Sequence, residues 1–423
     1  MPLRCDVAVV GGGPAGSTVS AFLARAGLAV VCFERERFPR FHVGESLLPA
    51  SLPLFDRLGV RERIESAGFQ RKNGAVFAEE TDGRQVILNF RRGPTWEDHA
   101  YNVPRADFDR LLLDHATKEG AVVREGTEVR EVIPRDDGVR LTVSAGDGGE
   151  EEVEAAFLVD ASGRDALVAS RLGRRVPLPD LGKAALFAHY RGAARMAGRS
   201  EGHLRAYLFE HGWFWWIPFS DDLTSVGVVL HKRAFKARQG SLDELFEEMV
   251  AASPSVSSGL AGATPVTAVH RVANFSYRTE PAVGDRFVAI GDAVVFIDPV
   301  FSTGVYVAMQ SAELASEVIL RAFADGEFRA GRFDAYRRRV AAGTALFFEF
   351  IERYYDPAFL DVFFAPRPPA TLKDALTTIF AGGAFLSQPL WLRARLECVR
   401  LEIRRARWLR RRRGLPVESQ LSW

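Results

Sequence analysis

The feature that most constrains the fold of this chain is a glycine-rich turn near its N-terminus. Residues 5–10 read CDVAVV, a short apolar run that predicts a buried parallel strand. The next segment, GGGPAGSTVSAFLARAG, predicts a turn that opens a helix, and LAVVCFER predicts a second strand. A strand, a crossover helix and a second strand form a βαβ unit, so the chain is expected to begin an α/β fold.

The turn has the spacing G-x-G-x-x-G, which suits the binding of a dinucleotide. Its residues are Gly11, Gly13, Pro14, Ala15 and Gly16. The first glycine permits a tight turn, the second lets the backbone approach a pyrophosphate, and the third lets the helix pack on the strand. The helix N-terminus offers N–H groups to the phosphates. Glu34 ends the second strand, where an acid binds ribose hydroxyls. A Rossmann-like domain holding one dinucleotide is therefore predicted, and the sequence has no second such fingerprint.

Three later segments resemble the para-hydroxybenzoate hydroxylase-like flavoproteins. They are VPRADFDRLLLDHA (103–116), VDASGR (159–164) and GDRFVAIGDA (284–293). The resemblance implies FAD as the cofactor, with Arg105 near the flavin and Asp160 in a turn at a strand end. It also implies that Gly291 and Asp292 lie at the ribityl chain. For Asp292 alone, the alternative is an aspartate that caps a helix or a turn.

Three further segments resemble the flavin-dependent halogenases. RFHVGES (40–46) resembles their G-E-[AS] loop, and FIDPVFSTGV (296–305) resembles the loop beside their isoalloxazine ring. WFWWIP resembles their W-x-W-x-I-P motif, in which Trp213 and Trp215 would separate flavin and substrate while a small oxidant passes. The alternative is a strand that buries its aromatic side chains in a core. The resemblance implies further FAD contacts at Arg35, Arg40, Glu45, Ser46, Pro299, Gly304 and Val305.

In that family, reduced flavin, O₂ and chloride or bromide give hypohalous acid, which a lysine holds beside the substrate. The matching residue is Lys72, 27 residues after Glu45 in the segment QRKNGAVF. A desolvated lysine can hydrogen-bond hypohalite or form a haloamine, whereas the alternative is a solvated loop lysine. The halide is expected at backbone N–H groups of the turn Ser302, Thr303 and Gly304, because successive amides form an anion-binding concavity.

The sequence departs from the tryptophan halogenases at Phe301, where those enzymes carry a glutamate. The segment DPVFSTGV instead resembles the subgroup that acts on phenols, pyrroles or acyl groups, often tethered to a carrier protein. Electron-rich rings need less help from a base, so this subgroup tolerates the loss of the carboxylate. Free tryptophan is not expected to be the substrate.

The domains are expected to be interleaved along the chain. Residues 1–80, 100–180 and 280–330 are assigned to the FAD-binding domain, and residues 81–99 and 181–279 to an antiparallel-sheet substrate domain. Residues 82–92 and 121–154 predict antiparallel strands, and SLDELFEEMVAA (241–252) predicts an amphipathic helix. Residues 331–423 are expected to form a C-terminal helical region.

Composition argues against several classes of protein and site. The net charge of +1 gives no field that would attract nucleic acid, and the apolar runs are too short for a membrane span. The N-terminus enters the first strand at once, which argues against a signal peptide. Three cysteines without a C-x-x-C pattern argue against a metal site and favour a reducing cytoplasm.

The C-terminal region carries ten arginines and two glutamates in residues 391–413. The simplest interpretation is a solvated helix end. A second is a docking patch for an acidic carrier protein or its phosphopantetheine, and a third is association with a membrane surface.

Together these features predict a cytoplasmic FAD-dependent halogenase of secondary metabolism, such as antibiotic biosynthesis. A separate flavin reductase would supply reduced FAD, because the sequence shows no stable nicotinamide site. The substrate would be electron-rich or activated, and either free or tethered to a carrier protein. The alternatives are a monooxygenase or geranylgeranyl-reductase-like oxidoreductase that uses no halide, and a degenerate flavoprotein that only binds a tethered substrate.

Overall fold

The computed structural model describes residues 2–91, 96–146, 148–177, 183–273, 276–366, 370–385 and 390–417. Its strands are β1 Leu3–Val10, β2 Val30–Glu34, β3 Gln70–Lys72, β4 Gly74–Glu79, β5 Gln85–Asn89, β6 Ala100–Asn102, β7 Val122–Glu125, β8 Thr127–Pro134, β9 Val139–Ala145, β10 Glu150–Asp160, β11 Arg174–Pro177, β12 Lys183–Arg191, β13 Leu204–Phe209, β14 Gly212–Pro218, β15 Leu223–His231, β16 Thr264–Pro265, β17 His270–Ala273, β18 Tyr277–Glu280, β19 Val283–Gly284, β20 Phe287–Ala289 and β21 Val295–Phe296. Its α-helices are α1 Pro14–Arg25, α2 Ser51–Leu58, α3 Arg61–Ser66, α4 Arg105–Lys118, α5 Leu167–Leu172, α6 Lys232–Ala237, α7 Leu242–Ala251, α8 Pro254–Gly259, α9 Gly304–Asp325, α10 Asp334–Tyr354, α11 Pro357–Phe363, α12 Ala370–Phe380 and α13 Leu390–Arg412.

The first sheet forms around the N-terminal βαβ unit, which confirms the predicted strand, helix and strand. Its order is β19-β20-β10-β1-β2-β7, and the strands from β20 to β7 run parallel. Strands β8 and β9 extend β10 as the expected antiparallel hairpins. The prediction of antiparallel strands throughout 121–154 was wrong for β7, which pairs in parallel with β2. The reason is that helix α4 crosses over before β7 and returns the chain to the sheet edge in the same direction.

The second sheet has the order β16-β12-β15-β14-β13-β4-β5, with an antiparallel core from β12 to β13. One face of β14 joins the main hydrophobic core, and the other face joins a smaller core that includes α7 side chains. Helix α7 confirms the predicted amphipathic helix, and a capping box at Ser241 and Glu244 starts it. The hairpin β4–β5 lies in this sheet, although the expected domain boundary after residue 80 passes between its strands. The division into domains therefore stays a proposal.

Helices dominate from residue 304 onward, as the sequence predicts. Helix α9 starts directly after the Ser302 turn and packs against α1, while α13 packs against α11 and α12. Side chains of α10, α11 and α12 complete the main core against β4 and β14. None of the helices in the described ranges is both long enough and apolar enough to span a membrane.

Candidate active site

A cavity of about 410 Å³ runs from the N-terminus of α1 to the second sheet. Its lining contains most of the predicted site residues. They are Gly11, Gly13, Pro14, Ala15, Glu34, Arg35, Arg40, Glu45, Ser46, Arg105, Trp213, Trp215, Asp292, Pro299, Ser302, Thr303, Gly304 and Val305. The carboxyl ends of β1 and β2 reach the cavity through Val10 and Glu34, which is where open α/β sheets bind ligands.

The turn before α1 fits the pyrophosphate of FAD. Gly11 has φ of +101°, and a Cβ there would lie 2.4 Å from the carbonyl oxygen of Ala161. A Cβ at Gly13 would point toward the cavity, 3.3 Å from Nη2 of Arg40. No side chain caps the N-terminus of α1, so its amides are available to a phosphate. Because only glycine leaves this space and these amides, the residues present suit a dinucleotide.

Three predicted cofactor residues lie behind the cavity lining. A Cβ at Gly16 would lie 1.8 Å from the Gly11 carbonyl oxygen, so Gly16 permits the turn itself. A Cβ at Gly291 would lie 3.1 Å from Cβ of Ala15. Asp160 is fully buried, and its carboxylate accepts hydrogen bonds from the backbone amides of Ser162 and Val168 at 3.0 and 2.8 Å. These residues shape the site from below and do not reach into it.

The ribose and flavin ends carry charged side chains whose pKa values burial shifts. Glu34 accepts a hydrogen bond from the Gly12 amide at 2.7 Å. Burial raises the pKa of Asp292 to about 6, against the opposing charges of Arg164 and Arg105. Arg105 forms a two-pronged ion pair with Asp109, with N–O distances of 2.7 and 2.8 Å. Asp292 thus faces the cavity beside two guanidinium groups, which suits a carboxylate that accepts hydroxyl protons.

The loop of residues 40–46 is held against both sheets. Arg105 donates to the Val43 carbonyl, and Ser46 donates to the Asn102 side chain at 2.8 Å. Glu45 is buried, and its Oε1 lies 2.7 Å from Nε2 of His189 on β12. The other carboxylate oxygen of Glu45 has no hydrogen-bond partner among the described residues. The loop therefore presents an unsatisfied buried acceptor beside the cavity.

Strand β14 separates its aromatic side chains onto two faces, because neighbouring side chains of a strand point in opposite directions. Trp213 and Trp215, called the tryptophan wall below, line the cavity together with Ile217. Phe214 and Trp216 instead belong to the smaller core on the other face. The alternative of an aromatic strand buried in a core thus describes half of the segment, and the wall is the other half.

The indole of Trp215 has a built space and a fixed partner. It lies opposite Gly227 of β15, where a Cβ would come within 2.3 Å of Cζ2 of the ring. Its Nε1–H donates to Oγ of Ser225 at 3.1 Å. The wall is therefore oriented by neighbouring strand residues and not by packing alone.

Lys72 ends β3 and is buried, with 2% of its surface exposed. Its Nζ donates to the Leu47 carbonyl at 3.0 Å and lies 5.4 Å from the ring centroid of Phe90. Burial lowers the pKa of Lys72 to about 7. The ammonium lines a second cavity of about 10 Å³, next to Phe77, Phe301 and Phe380. This excludes the alternative of a solvated loop lysine.

The two cavities are neighbours. Leu204 and Ser302 line both of them, so the Lys72 cavity begins where the large cavity ends. Ser302 has φ of +56°, which turns the chain sharply before α9. The side-chain oxygen of Thr303 is buried and has no partner among the described residues. An open polar group therefore lies at the predicted halide turn, between the large cavity and Lys72.

Sequence reasoning missed several residues that organise the site. His189 contacts Glu45, and Arg164 opposes the charge of Asp292. Asp298 and Tyr355 are also buried here, and the Tyr355 hydroxyl donates to the Asp298 carboxylate at 3.0 Å. Asp298 lies inside the quoted FIDPVFSTGV segment, which was a signal. His189 and Tyr355 are far away in sequence and carry no local pattern. Within the described ranges, no group of three or more His, Cys, Asp or Glu is arranged to hold a metal ion.

Comparisons with known proteins agree with this geometry. A family model described as an FAD binding domain matches residues 4–347. A 1H-pyrrole-2-carbonyl-(peptidyl-carrier protein) chlorinase from Pseudomonas fluorescens is 35% identical over 374 residues, which cover 83% of this chain and 83% of the relative. A tryptophan 2-halogenase from Chondromyces crocatus is 35% identical over 348 residues, which cover 80% of this chain and 65% of the relative.

The solved structures give the same result. A flavin-dependent brominase superimposes with a TM-score of 0.84 at 28% identity, covering 95% of this chain and 100% of its own. The family match and the identity both extend over most of the chain and include the FAD cradle, the tryptophan wall and Lys72. The chain is therefore an FAD-dependent enzyme that belongs to the flavin-dependent halogenases.

Proposed function

We propose that this halogenase acts on an electron-rich aromatic ring presented by a carrier protein, with Lys72 as the residue that holds the halogenating species. The observation that carries the proposal is the buried Lys72 ammonium. It lies in its own cavity, which adjoins the large cavity at Ser302 and Leu204. This arrangement separates the site where oxidant forms from the site where it is used.

Bound FAD, when reduced, supplies the oxidising equivalents from O₂ that convert chloride or bromide to hypohalous acid. The chain's part is to hold the cofactor against Arg105 and Asp292, and to keep bulky substrates away from it. The tryptophan wall does the latter, because two large fixed rings leave room for a small molecule only. The halide is proposed to bind at the Ser302–Gly304 turn, where the buried Thr303 hydroxyl is unsatisfied.

Lys72 is proposed to receive hypohalous acid beyond this turn. Its cavity of about 10 Å³ has room for about one water-sized molecule. Desolvation favours the neutral amine, and the pKa of about 7 leaves both protonation states accessible near neutrality. The ammonium can donate a hydrogen bond to hypohalite, and the amine can accept the halogen. A substrate ring has to displace part of the surrounding aromatic lining to reach it.

The lining of the Lys72 cavity favours a substrate that reacts without help from a base. Its described residues include no carboxylate, and Phe301 packs edge-on against Phe380 at 4.5 Å and against Tyr354 at 5.7 Å. Pyrroles and phenols are nucleophilic enough for direct attack on an electrophilic halogen. The pyrrolyl-carrier chlorinase named above is a relative with such a substrate.

The carrier protein is proposed to dock on α13. Leu401, Trp408 and Leu415 are 57%, 51% and 45% exposed, and the spacing of seven residues puts Leu401 and Trp408 on one side of the helix. Around them lie Arg404, Arg411 and Arg412, which have no acidic partner among the described residues. Carrier proteins of this class are acidic, so charge complementarity favours them over a neutral partner.

Other arginines of α13 have a structural role. Arg400, Arg407 and Arg410 pair with Glu349, Asp356 and Asp361 of the preceding helical segment. These pairs hold α13 on the body of the protein. Because Asp356 follows Tyr355 directly, the helix is anchored beside the buried site. The unpaired arginines are thus separate from those that hold the fold.

The substrate proposal is tested with reduced FAD, O₂ and bromide or chloride. Pyrrole-2-carboxylate is offered either free or as the thioester of a phosphopantetheinylated carrier protein. We expect a halogen mass shift on the thioester alone, and none with Lys72→Met. A hydroxylated product, or halogenation of the free acid only, would overturn the proposal.

The docking proposal is tested by reversing charge at Arg404, Arg411 and Arg412. We expect KM for the carrier-bound substrate to rise at least tenfold, with little change in kcat. The control reverses charge at three exposed arginines elsewhere, Arg135, Arg321 and Arg338. Equal effects of the two triple variants would show that only net charge matters. Binding of both triple variants to carrier, but loss of α13 variant binding to anionic vesicles, would assign the patch to a membrane.

We also propose a separate flavin reductase as the source of reduced FAD, and a cytoplasmic location. The second is favoured by three cysteines without a disulfide. Fractionation of the producing cells tests the location. Activity driven by reduced FAD alone, compared with NADH alone, tests the need for a reductase.

A further inference from the structure

The hydroxyl of Tyr355 connects three parts of the molecule that are distant in sequence. It accepts a hydrogen bond from Nε1–H of Trp213 on β14 at 3.0 Å. It donates to Oδ2 of Asp298, which begins the loop leading to the Ser302 turn, at 3.0 Å. All three side chains are buried, with exposures of 1%, 6% and 0% for Trp213, Tyr355 and Asp298. Tyr355 itself follows α10, beyond the residues that the family model matches.

The direction of these bonds is fixed by chemistry. An indole N–H can only donate, so the Tyr355 oxygen must accept from Trp213. Burial raises the pKa of Tyr355 well above its ordinary value, so the phenol keeps its proton. That proton then has one acceptor, the Asp298 carboxylate. The relay Trp213 to Tyr355 to Asp298 therefore has a single hydrogen-bond arrangement.

The relay reaches the proposed halide turn through Asp298. Its other oxygen, Oδ1, accepts from the Val300 amide at 3.1 Å and caps the short helical turn Pro299–Phe301. Ser302 and Thr303 follow that turn directly. Nζ of Lys183 lies 3.2 Å from the Tyr355 ring centroid and offsets the buried charge of Asp298. A change at the Tyr355 hydroxyl is thus transmitted to the tryptophan wall and to the turn together.

We propose that Tyr355 is a positioning residue that locks the tryptophan wall to the halide turn. The inference rests on the functions proposed above for these two features. With the hydroxyl in place, the Trp213 ring and the loop from Asp298 to Gly304 hold one relative position. Without it, a buried indole N–H and a buried carboxylate each lose a partner, which allows both to shift.

The test compares Tyr355→Phe with Tyr354→Phe. Tyr354 is the matched control, because it is buried beside the same rings and its hydroxyl has no partner among the described residues. In the FAD-free protein, the indole N–H resonance of Trp213, assigned with Trp213→Phe, should move upfield and exchange faster in Tyr355→Phe only. This readout needs no halogenation. An unchanged resonance in Tyr355→Phe would overturn the relay.

The functional arm measures hydrogen peroxide released per reduced FAD oxidised, and KM for bromide with a 1,3-diketone trap for hypohalous acid. Tyr355→Phe should bind FAD normally, raise KM for bromide about fivefold or more, and release more peroxide. Trp213→Phe keeps the Tyr355–Asp298 bond, so it should release peroxide while KM for bromide stays near wild type. Equal effects of Tyr354→Phe and Tyr355→Phe would overturn the positioning role. If wild type makes no hypohalous acid, the proposed function fails, and the indole resonance still decides the relay.

Discussion

Replacing Lys72 by methionine separates its charge from its packing. Methionine keeps most of the buried stem and removes the ammonium, together with its hydrogen bond to the Leu47 carbonyl. We expect FAD binding and oxidation of reduced FAD by O₂ to continue. Halogenated product should fall at least a hundredfold, because hypohalous acid forms but is no longer held. Product within a few-fold of wild type would exclude Lys72 from the reaction.

The same variant should change the pH dependence of stability in a calculable way. Burial lowers the pKa of Lys72 from 10.5 to about 7. A difference of this size between the folded and unfolded states corresponds to a destabilisation on the order of 5 kcal/mol when the lysine is charged in both states. Because the folded pKa is the lower one, the full destabilisation is present below about pH 7 and is lost as pH rises toward the unfolded pKa.

Parallel denaturant titrations of the FAD-free proteins measure this effect. The stability of Lys72→Met relative to wild type should fall by about 3 kcal/mol between about pH 6 and about pH 9. The lost hydrogen bond to Leu47 adds a pH-independent offset of about 1 kcal/mol, so the slope is the diagnostic quantity. A difference that does not vary with pH would show that Lys72 is not desolvated, and would refute the reasoning from burial.

Three further predictions follow from the site geometry. Gly13→Val places a branched side chain where the cavity meets Arg40 and should abolish FAD binding; full flavin occupancy in the purified variant, read from its visible absorbance, contradicts the assignment. Gly227→Ala should push the Trp215 indole out of place and raise peroxide release with the indole still present, whereas Trp215→Ala should also lower stability by about 3–5 kcal/mol. Ser302→Val should raise KM for bromide because a β-branched residue resists its φ of +56°, while Ser302→Gly should keep KM near wild type.

The sequence by itself determined the features that depend on neighbouring residues. The G-x-G-x-x-G turn, its flanking strands and Glu34 could be predicted because the tight turn and the helix start are local requirements. The amphipathic period of α7 was predictable for the same reason. The family motifs also located Lys72 and the Ser302 turn, although their roles still await the experiments described above.

Tertiary structure alone decided the arrangements that join distant segments. Strand β7 followed the sheet direction because a crossover helix precedes it, and no local pattern distinguishes a parallel from an antiparallel edge. Trp213 and Trp216 have the same residue type, yet opposite faces of β14 place one at the cavity and the other in a separate core. Tyr355 lies 142 residues from Trp213 and 57 from Asp298. Contacts of that separation depend on how the C-terminal helices pack onto the sheet, which no window of sequence contains.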